Sequence, residues 1–186
     1  MFASNPDFVF SGVYPVPRLA CGAFVACLEQ LFELETGTRL HVDQVGKPLG
    51  ITYDYARRLL GSWRHRQAAE GEALDKPHQE SEVDQAAHHE AAIASAAGDP
   101  ITQKPPFERI FMVGDNPASD IRGANAAKGP WRSVLVRSGV FGFQTDAMGK
   151  PLPNDSEDPA DFVVEDIGEA VDQILESHHA QLEERL

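Results

Sequence analysis

The sequence has few cysteines, few basic residues and no long apolar run. Its two cysteines, Cys21 and Cys27, are too few for a disulfide framework and lack metal-ligand spacing, so we expect free thiols and a reducing compartment. No stretch has the ~18 apolar residues of a membrane-spanning helix, so none is predicted. Sixteen basic against 29 acidic residues give a net charge of −13. That charge argues against a nucleic-acid partner, because phosphate backbones attract clustered lysine and arginine.

The first ten residues also lack the features of a targeting segment. They are neither basic nor rich in arginine, as a signal or transit peptide would be. They predict instead a chain that starts inside a fold, with a strand at residues 7–10. Taken alone, the residues favour the cytoplasm.

Apolar patterning along the chain predicts alternating strands and helices. Continuous apolar strands separated by helices indicate right-handed crossovers and a parallel sheet, so the predicted fold class is α/β. The predicted strands are residues 7–10, 40–45, 109–113, 133–136 and 162–164, and the predicted helices are residues 20–34, 53–63, 119–127 and 167–175.

Residues 64–104 differ in composition from the rest of the chain. They are rich in alanine, glutamate, glutamine and histidine and contain almost no large apolar residues. Because no apolar stripe could be buried, we predict a mobile insertion with a transient helix at 81–97, not a second domain. His88-His89-Glu90 does not predict zinc, since Ile93 stands where the zinc-peptidase pattern needs a second histidine.

The strongest chemical signal is VGDNPASDI, residues 113–121. A predicted strand delivers Gly114 and then Asp115 at its carboxyl end, where ligands bind in open α/β sheets. Asp120 lies at the start of a predicted helix and can turn back toward the same place. Two carboxylates suit Mg²⁺, which takes one or two of them and keeps several waters. The same residues also fit an ordinary turn and helix cap, and the residues alone leave both readings open.

The second signal is Gly46-Lys47-Pro48, which also follows a predicted strand. Glycine and proline restrict how the backbone on either side can present the lysine. Lys47 would then serve as a point charge for a phosphoryl group. An exposed lysine in a turn is the alternative, and it is the better reading of this motif taken alone.

In this order, the two motifs resemble the haloacid dehalogenase superfamily of aspartate-nucleophile phosphatases. Lys47 matches the third motif of the superfamily, and Asp115 and Asp120 match the fourth. Further matches point to its subclass IIA and most closely to the cat eye syndrome critical region protein branch, a mostly mitochondrial group. Fungal members of that branch are loosely associated with glycerophospholipid metabolism. The matching segments are Asn5-Pro6-Asp7, Cys21-Gly22-Ala23, Ser138-Gly139-Val140 and residues 161–164.

The resemblance implies a partial, Rossmann-like three-layer core with a parallel sheet and with the cap domain mostly missing. It implies Mg²⁺-dependent hydrolysis of a small phosphorylated substrate through an aspartyl-phosphate. Asp115 would be a metal ligand and Asp120 would support it. Lys47 would stabilise charge on the nucleophile and the phosphate, and Asn116 would bind near a metal-bound water. A mitochondrial location is implied by the same resemblance.

The chain lacks the first motif of the superfamily. No Asp-x-Asp occurs, and Asp166, which follows a predicted strand, has Gly168 in the second position. We therefore expect no nucleophile in this chain, which would be inactive alone because losing a nucleophile costs on the order of 10⁴ to 10⁶ in rate. We therefore expect this chain to be either a truncated gene product or one piece of a longer enzyme. The alternative is a non-catalytic protein that binds a paralogue or a second copy through an exposed sheet edge.

These inferences divide the chain into five parts. In order, they are the end of the cap and return to the core, a core segment with the lysine motif, an acidic insertion, the C-terminal core with the metal motif, and a polar tail. The corresponding ranges are 1–40, 41–63, 64–104, 105–177 and 178–186.

Overall fold

The structure is a computed structural model that describes residues 1–71 and 107–183. It contains two compact units, Met1–Thr52 with Arg109–Leu186, and Tyr53–Glu108. The predicted transient helix at 81–97 and the His88-His89-Glu90 segment lie outside the described residues, as does most of the predicted insertion. The chain has the mixed α/β fold that the sequence predicts.

The first part of the chain contains short strands and one long helix. A parallel pair joins β1 to β4, and an antiparallel pair joins β2 to β3. These elements are β1 (Phe2–Ala3), β2 (Val9–Phe10), β3 (Arg18–Leu19), α1 (Cys21–Thr36) and β4 (Asp43–Gln44). Helix α1 ends as predicted at Gly37, whose φ of 68° is left-handed and whose N–H donates to the Glu33 carbonyl at 2.9 Å.

Helix α1 leaves three of its large apolar side chains exposed. The helix buries Ala23 and Val25, whereas Phe24, Leu31 and Leu34 are 66%, 64% and 75% exposed. An amphipathic helix normally covers its large apolar residues against a core. The described residues therefore leave these three side chains uncovered.

The second part of the chain forms a three-stranded parallel sheet in the order β5-β6-β7. Strand β7 has the predicted bounds, whereas β6 begins two residues before its prediction, at Trp131. These elements are β5 (Ile110–Gly114), a π-helical turn (Pro117–Ile121), α3 (Arg122–Ala127), β6 (Trp131–Val136), a 3-10 turn (Val140–Phe143), β7 (Phe162–Val164) and α4 (Ile167–Glu183).

The core lies on both faces of this sheet. Successive residues of β6 point to opposite faces, so the strand contributes to two apolar clusters. One cluster contains Val134, Val136, Val164 and Ala170, and the other contains Ile121, Leu135 and Phe141. Helix α4 supplies a residue to the first cluster, and the two short turns supply residues to the second, which gives the three layers that the resemblance implies.

A bidentate ion pair fixes the start of α3. Nε of Arg122 lies 3.0 Å from both carboxylate oxygens of Asp158, and Nη2 lies 2.7 Å from Oδ2. Such fork-to-fork pairs fix geometry as well as charge. The segment that follows the metal motif is therefore held against the loop before β7.

Two helices are longer than the sequence predicts. Helix α2 runs over Gly50–Gly71, so the predicted end at residue 63 is wrong. Residues 64–71, RHRQAAEG, are mostly good helix formers, and they continue the helix without needing an apolar face. Likewise α4 continues to Glu183, past the predicted end at residue 175. None of the helices in the described ranges combines the length and apolar character needed to cross a membrane.

Candidate active site

The candidate site begins where β5 ends, at Gly114 and Asp115. A β-carbon on Gly114 would lie 2.2 Å from Cγ of Asp120, closer than side chains approach one another. The glycine is therefore required for the Asp120 carboxylate to lie against the strand end. Asp120 is only 2% exposed.

A π-helical turn directs Asp120 back toward β5. The sequence predicts an α-helix from residue 119, but the structure has a π-helical turn over Pro117–Ile121. The Asn116 carbonyl accepts from Asp120 N at 2.8 Å, and Oδ2 of Asp120 accepts from Asn116 N at 3.1 Å. Single π-helical turns are frequent at functional sites because they re-aim a side chain.

The pairing of β1 with β4 brings Lys47 to this carboxylate. The pairing continues past the strands, because Val45 N donates to the Ala3 carbonyl at 2.9 Å. Gly46 follows with a φ of 95°, and a β-carbon on it would lie 2.3 Å from the Ser4 carbonyl oxygen. The Lys47–Pro48 peptide is cis. Across this turn, Nζ of Lys47 donates to Oδ1 of Asp120 at 2.5 Å.

The charge environment keeps Lys47 protonated. Partial burial lowers the pKa of Lys47, but the hydrogen bond that its ammonium donates to Asp120 and the charge of Asp120 raise it, as do the charges of Asp7 and Asp115. The net effect is a pKa above the ordinary lysine value. The Lys47 side chain is 38% exposed, so it is partly open to solvent as well as bonded to Asp120.

Asp115 is held by donors from two other parts of the chain. Its Oδ2 accepts from Ser11 Oγ at 2.9 Å and from Val140 N at 2.7 Å. Gly139 leaves room for this carboxylate, since a β-carbon there would lie 2.0 Å from Oδ2. The sequence analysis missed Ser11, which lies 104 positions from Asp115 and belongs to no motif that marks it.

The oxygen atoms at this strand end are of the kind that bind hard cations. No described residue donates a hydrogen bond to Oδ1 of Asp115, and Oδ1 of Asp7 is buried without a hydrogen-bond partner. The charges of Asp120, Asp7 and Asp115 all raise the pKa of Lys47, so carboxylates outnumber the ammonium in this region. Within the described ranges, no group of three His, Cys, Asp or Glu side chains is placed to hold a metal ion. Mg²⁺ fits such a partial set because it uses one or two carboxylates and completes its shell with water and phosphate oxygens.

The structure places the four predicted site residues in one region. Lys47 contacts Asp120 directly, and Asp115 lies at the adjoining strand end. The Asn116 side chain, predicted to bind near a metal-bound water, accepts from Ala118 N at 3.2 Å and caps the π-helical turn. The cap is thus made by Asn116, whereas the alternative reading of the sequence gave the turn and cap to the aspartates, of which Asp120 accepts a local hydrogen bond from Asn116 N.

Comparison with known proteins shows the family. The family model described as HAD-hydrolase-like matches residues 44–170, a range that includes Lys47, Asp115 and Asp120. The chain belongs to the HAD-like hydrolase family.

Two fungal proteins are similar to this chain. A Schizosaccharomyces pombe protein named cardiolipin synthase (CMP-forming) / mitochondrial hydrolase fusion protein is 37% identical over 141 residues, 76% of this chain and 18% of that protein. A Saccharomyces cerevisiae protein named Mitochondrial hydrolase YKR070W is 30% identical over 178 residues, 96% of this chain and 43% of that protein. The chain therefore spans less than half the length of either relative.

Proposed function

We propose that this chain carries the lysine-and-metal half of a Mg²⁺-dependent phosphate monoester hydrolase. The observation that carries the proposal is the meeting of Lys47, Asp115 and Asp120 at the carboxyl end of β5. Such an enzyme transfers the phosphoryl group to an aspartate before water releases it. In this chain no Asp-x-Asp supplies that aspartate, so the nucleophile comes from a further segment and the chain is inactive alone.

The sheet offers a place for that segment. Among the described strands, β5 pairs only with β6, so its other edge has free N–H and C=O groups. A parallel strand on this edge would end beside Asp115, since parallel strands share one carboxyl end. A carboxylate at the end of the added strand would then face Lys47.

Each residue has a separate part in the reaction. Bound Mg²⁺ supplies charge neutralisation at the phosphoryl oxygens. Asp115 and Asp120 would hold the metal, and Ser11 and Val140 N orient Asp115. The raised pKa of Lys47 keeps its ammonium charged at neutral pH, as a contact to phosphate oxygens requires.

The names of the relatives support a setting for this activity. Both contain the words mitochondrial hydrolase, and the Schizosaccharomyces protein also carries a cardiolipin synthase name. On that basis we place the substrate among phosphate monoesters of glycerophospholipid metabolism and the chain in mitochondria.

Reconstitution with the missing segment tests the proposal. The chain is co-expressed with the part of the Saccharomyces relative that it does not match, and phosphate release from a monoester panel is measured with and without Mg²⁺. We expect Mg²⁺-dependent release that Asp115→Asn abolishes and that Asp172→Asn, at an exposed position on α4, leaves unchanged. No release, or release that survives Asp115→Asn, contradicts the proposal.

A non-catalytic binding role is the second candidate. The observation that favours it is the set of uncovered apolar side chains near the N-terminus. Phe2, Leu19 and Phe24 are 81%, 70% and 66% exposed. Exposed apolar surface of this kind marks association sites, and a paralogue or a second copy would cover it. A monodisperse monomer in analytical ultracentrifugation argues against this role, and a native polypeptide much heavier than 186 residues favours the enzyme.

A further inference from the structure

The hairpin formed by β2 and β3 carries an arginine that has no assigned role. Phe10 and Arg18 are partners in the antiparallel register. The Arg18 guanidinium lies 4.7 Å from the centroid of the Phe10 ring and 6.0 Å from that of the Tyr14 ring. Two aromatic rings thus restrain an otherwise flexible cation.

This stacking leaves the donors of the guanidinium unused. A ring contacts the flat face of the group, whereas its five N–H donors point outward in the plane. Arg18 is exposed, and none of the described residues forms an ion pair or side-chain hydrogen bond with it. A held guanidinium with free donors is arranged to take a carboxylate or phosphate in a bidentate contact.

The same hairpin reaches the candidate active site. A β-carbon on Gly12 would lie 3.8 Å from Nη2 of Arg18, so the guanidinium lies beside Gly12. The preceding residue, Ser11, donates to Asp115 at 2.9 Å. Since neighbouring residues are about 3.8 Å apart, these contacts keep the guanidinium within about 15 Å of the Asp115 carboxylate.

The net negative charge of the chain makes Arg18 useful for binding an anionic substrate. A net charge of −13 repels a substrate with more than one anionic group, unless local cations offset the repulsion. Lys47 is committed to Asp120 and the phosphoryl position. Arg18 is a separate cation on the hairpin whose Ser11 contacts Asp115.

We propose that Arg18 is a specificity-determining residue that binds a second anionic group on the alcohol part of a phosphate monoester. This inference rests on the proposed function and names its substrate class, a monoester whose leaving alcohol carries a phosphate, phosphodiester or carboxylate. Ser11 and Gly12 link the two subsites, so one hairpin orients Asp115 and presents Arg18. A purely structural role for Arg18, as a clasp between β2 and the loop, would give no such preference.

Titration calorimetry with two probes tests the inference. The chain, with Mg²⁺ present, is titrated with n-propyl phosphate and with propane-1,3-diyl bisphosphate. We expect the bisphosphate to bind roughly tenfold more tightly, as one charge-assisted contact allows. Arg18→Gln should remove that difference without changing the affinity for the monophosphate. Arg18→Lys should keep part of it, because it retains the charge but loses the fork.

Control variants separate the possible outcomes. Arg39→Gln removes another exposed arginine and should leave both affinities unchanged. Lys47→Met should weaken both probes equally, because both use the phosphoryl position. If the two probes bind equally tightly and Lys47→Met weakens both, the proposed role of Arg18 is wrong, whereas the proposed role of Lys47 stands. Loss of affinity for both probes in Arg18→Gln shows a structural role and also overturns it. Failure of both probes to bind overturns this inference, whereas the proposed function is tested separately by phosphate release in the reconstitution experiment.

Discussion

Nζ of Lys47 donates to Oδ1 of Asp120 at 2.5 Å, joining residues 73 positions apart. The carboxylate is almost fully buried, with 3% of its side chain exposed, whereas the lysine side chain is 38% exposed. Asp120 therefore depends on Lys47 for charge compensation more than Lys47 depends on Asp120. The contact joins the β1–β4 pair to the end of β5.

Removing the lysine should destabilise the fold. Lys47→Met leaves Asp120 buried without its cation, and a broken hydrogen bond to a charged group costs about 1–3 kcal/mol. We expect a loss near the lower end, because water reaches the exposed side of the pair. Urea unfolding measures the loss. Lys150→Met, at an exposed position, should change little, and a stable Lys47→Met variant would contradict the assigned contact.

From neutral pH upward, the stabilisation that Lys47 contributes should change only near the pKa of its ammonium. Because the folded-state pKa of Lys47 is raised, its stabilisation is fully present below the unfolded lysine pKa of about 10.4. It is lost as the pH rises through the higher folded pKa. The measurement is the difference in unfolding free energy between the wild type and Lys47→Met from pH 7 upward. A difference that falls between pH 7 and 9 would exclude Lys47 as its source.

The glycines beside the two aspartates should resist substitution. Gly139→Ala would place a methyl group 2.0 Å from Oδ2 of Asp115, and Gly114→Ala would meet Cγ of Asp120 at 2.2 Å. Overpacking of this kind costs about 1–3 kcal/mol, and it should also displace the carboxylate. Thermal unfolding with Mg²⁺ titration measures both effects. Gly50→Ala is the matched control, since nothing lies within 4 Å of its added methyl group.

Ser11 should act on the site through Asp115. Ser11→Ala removes one of two donors to Oδ2 and leaves Val140 N, so the expected loss of stability is about 1 kcal/mol. The less oriented carboxylate should also bind Mg²⁺ several-fold more weakly, which calorimetry can measure. Ser156→Ala, at an exposed position, should affect neither quantity. If Ser11→Ala lowers stability but leaves Mg²⁺ affinity intact, Ser11 only ties the hairpin down.

The sequence by itself determined the class of the fold and the chemistry of its central residues. The apolar run before Gly114-Asp115 predicted β5, because a strand buried on both faces contains apolar residues throughout. Residues 162–164 were likewise predicted as a strand with its observed bounds. Lys47, Asp115 and Asp120 were found because two short motifs follow predicted strands and, in that order, resemble those of a known superfamily.

Only the tertiary structure decided which distant side chains complete the site. Ser11 contacts Asp115 because the hairpin that also carries Arg18, and that belongs to no motif, reaches the end of β5. The Asn116 side chain caps the π-helical turn by accepting from Ala118 N, a contact that its position in the motif did not reveal. The local spacing of apolar residues shows whether a segment forms a helix or a strand. Contacts across 73 or 104 positions instead arise from how the elements pack. That packing is a property of the whole chain, and no short window of sequence contains it.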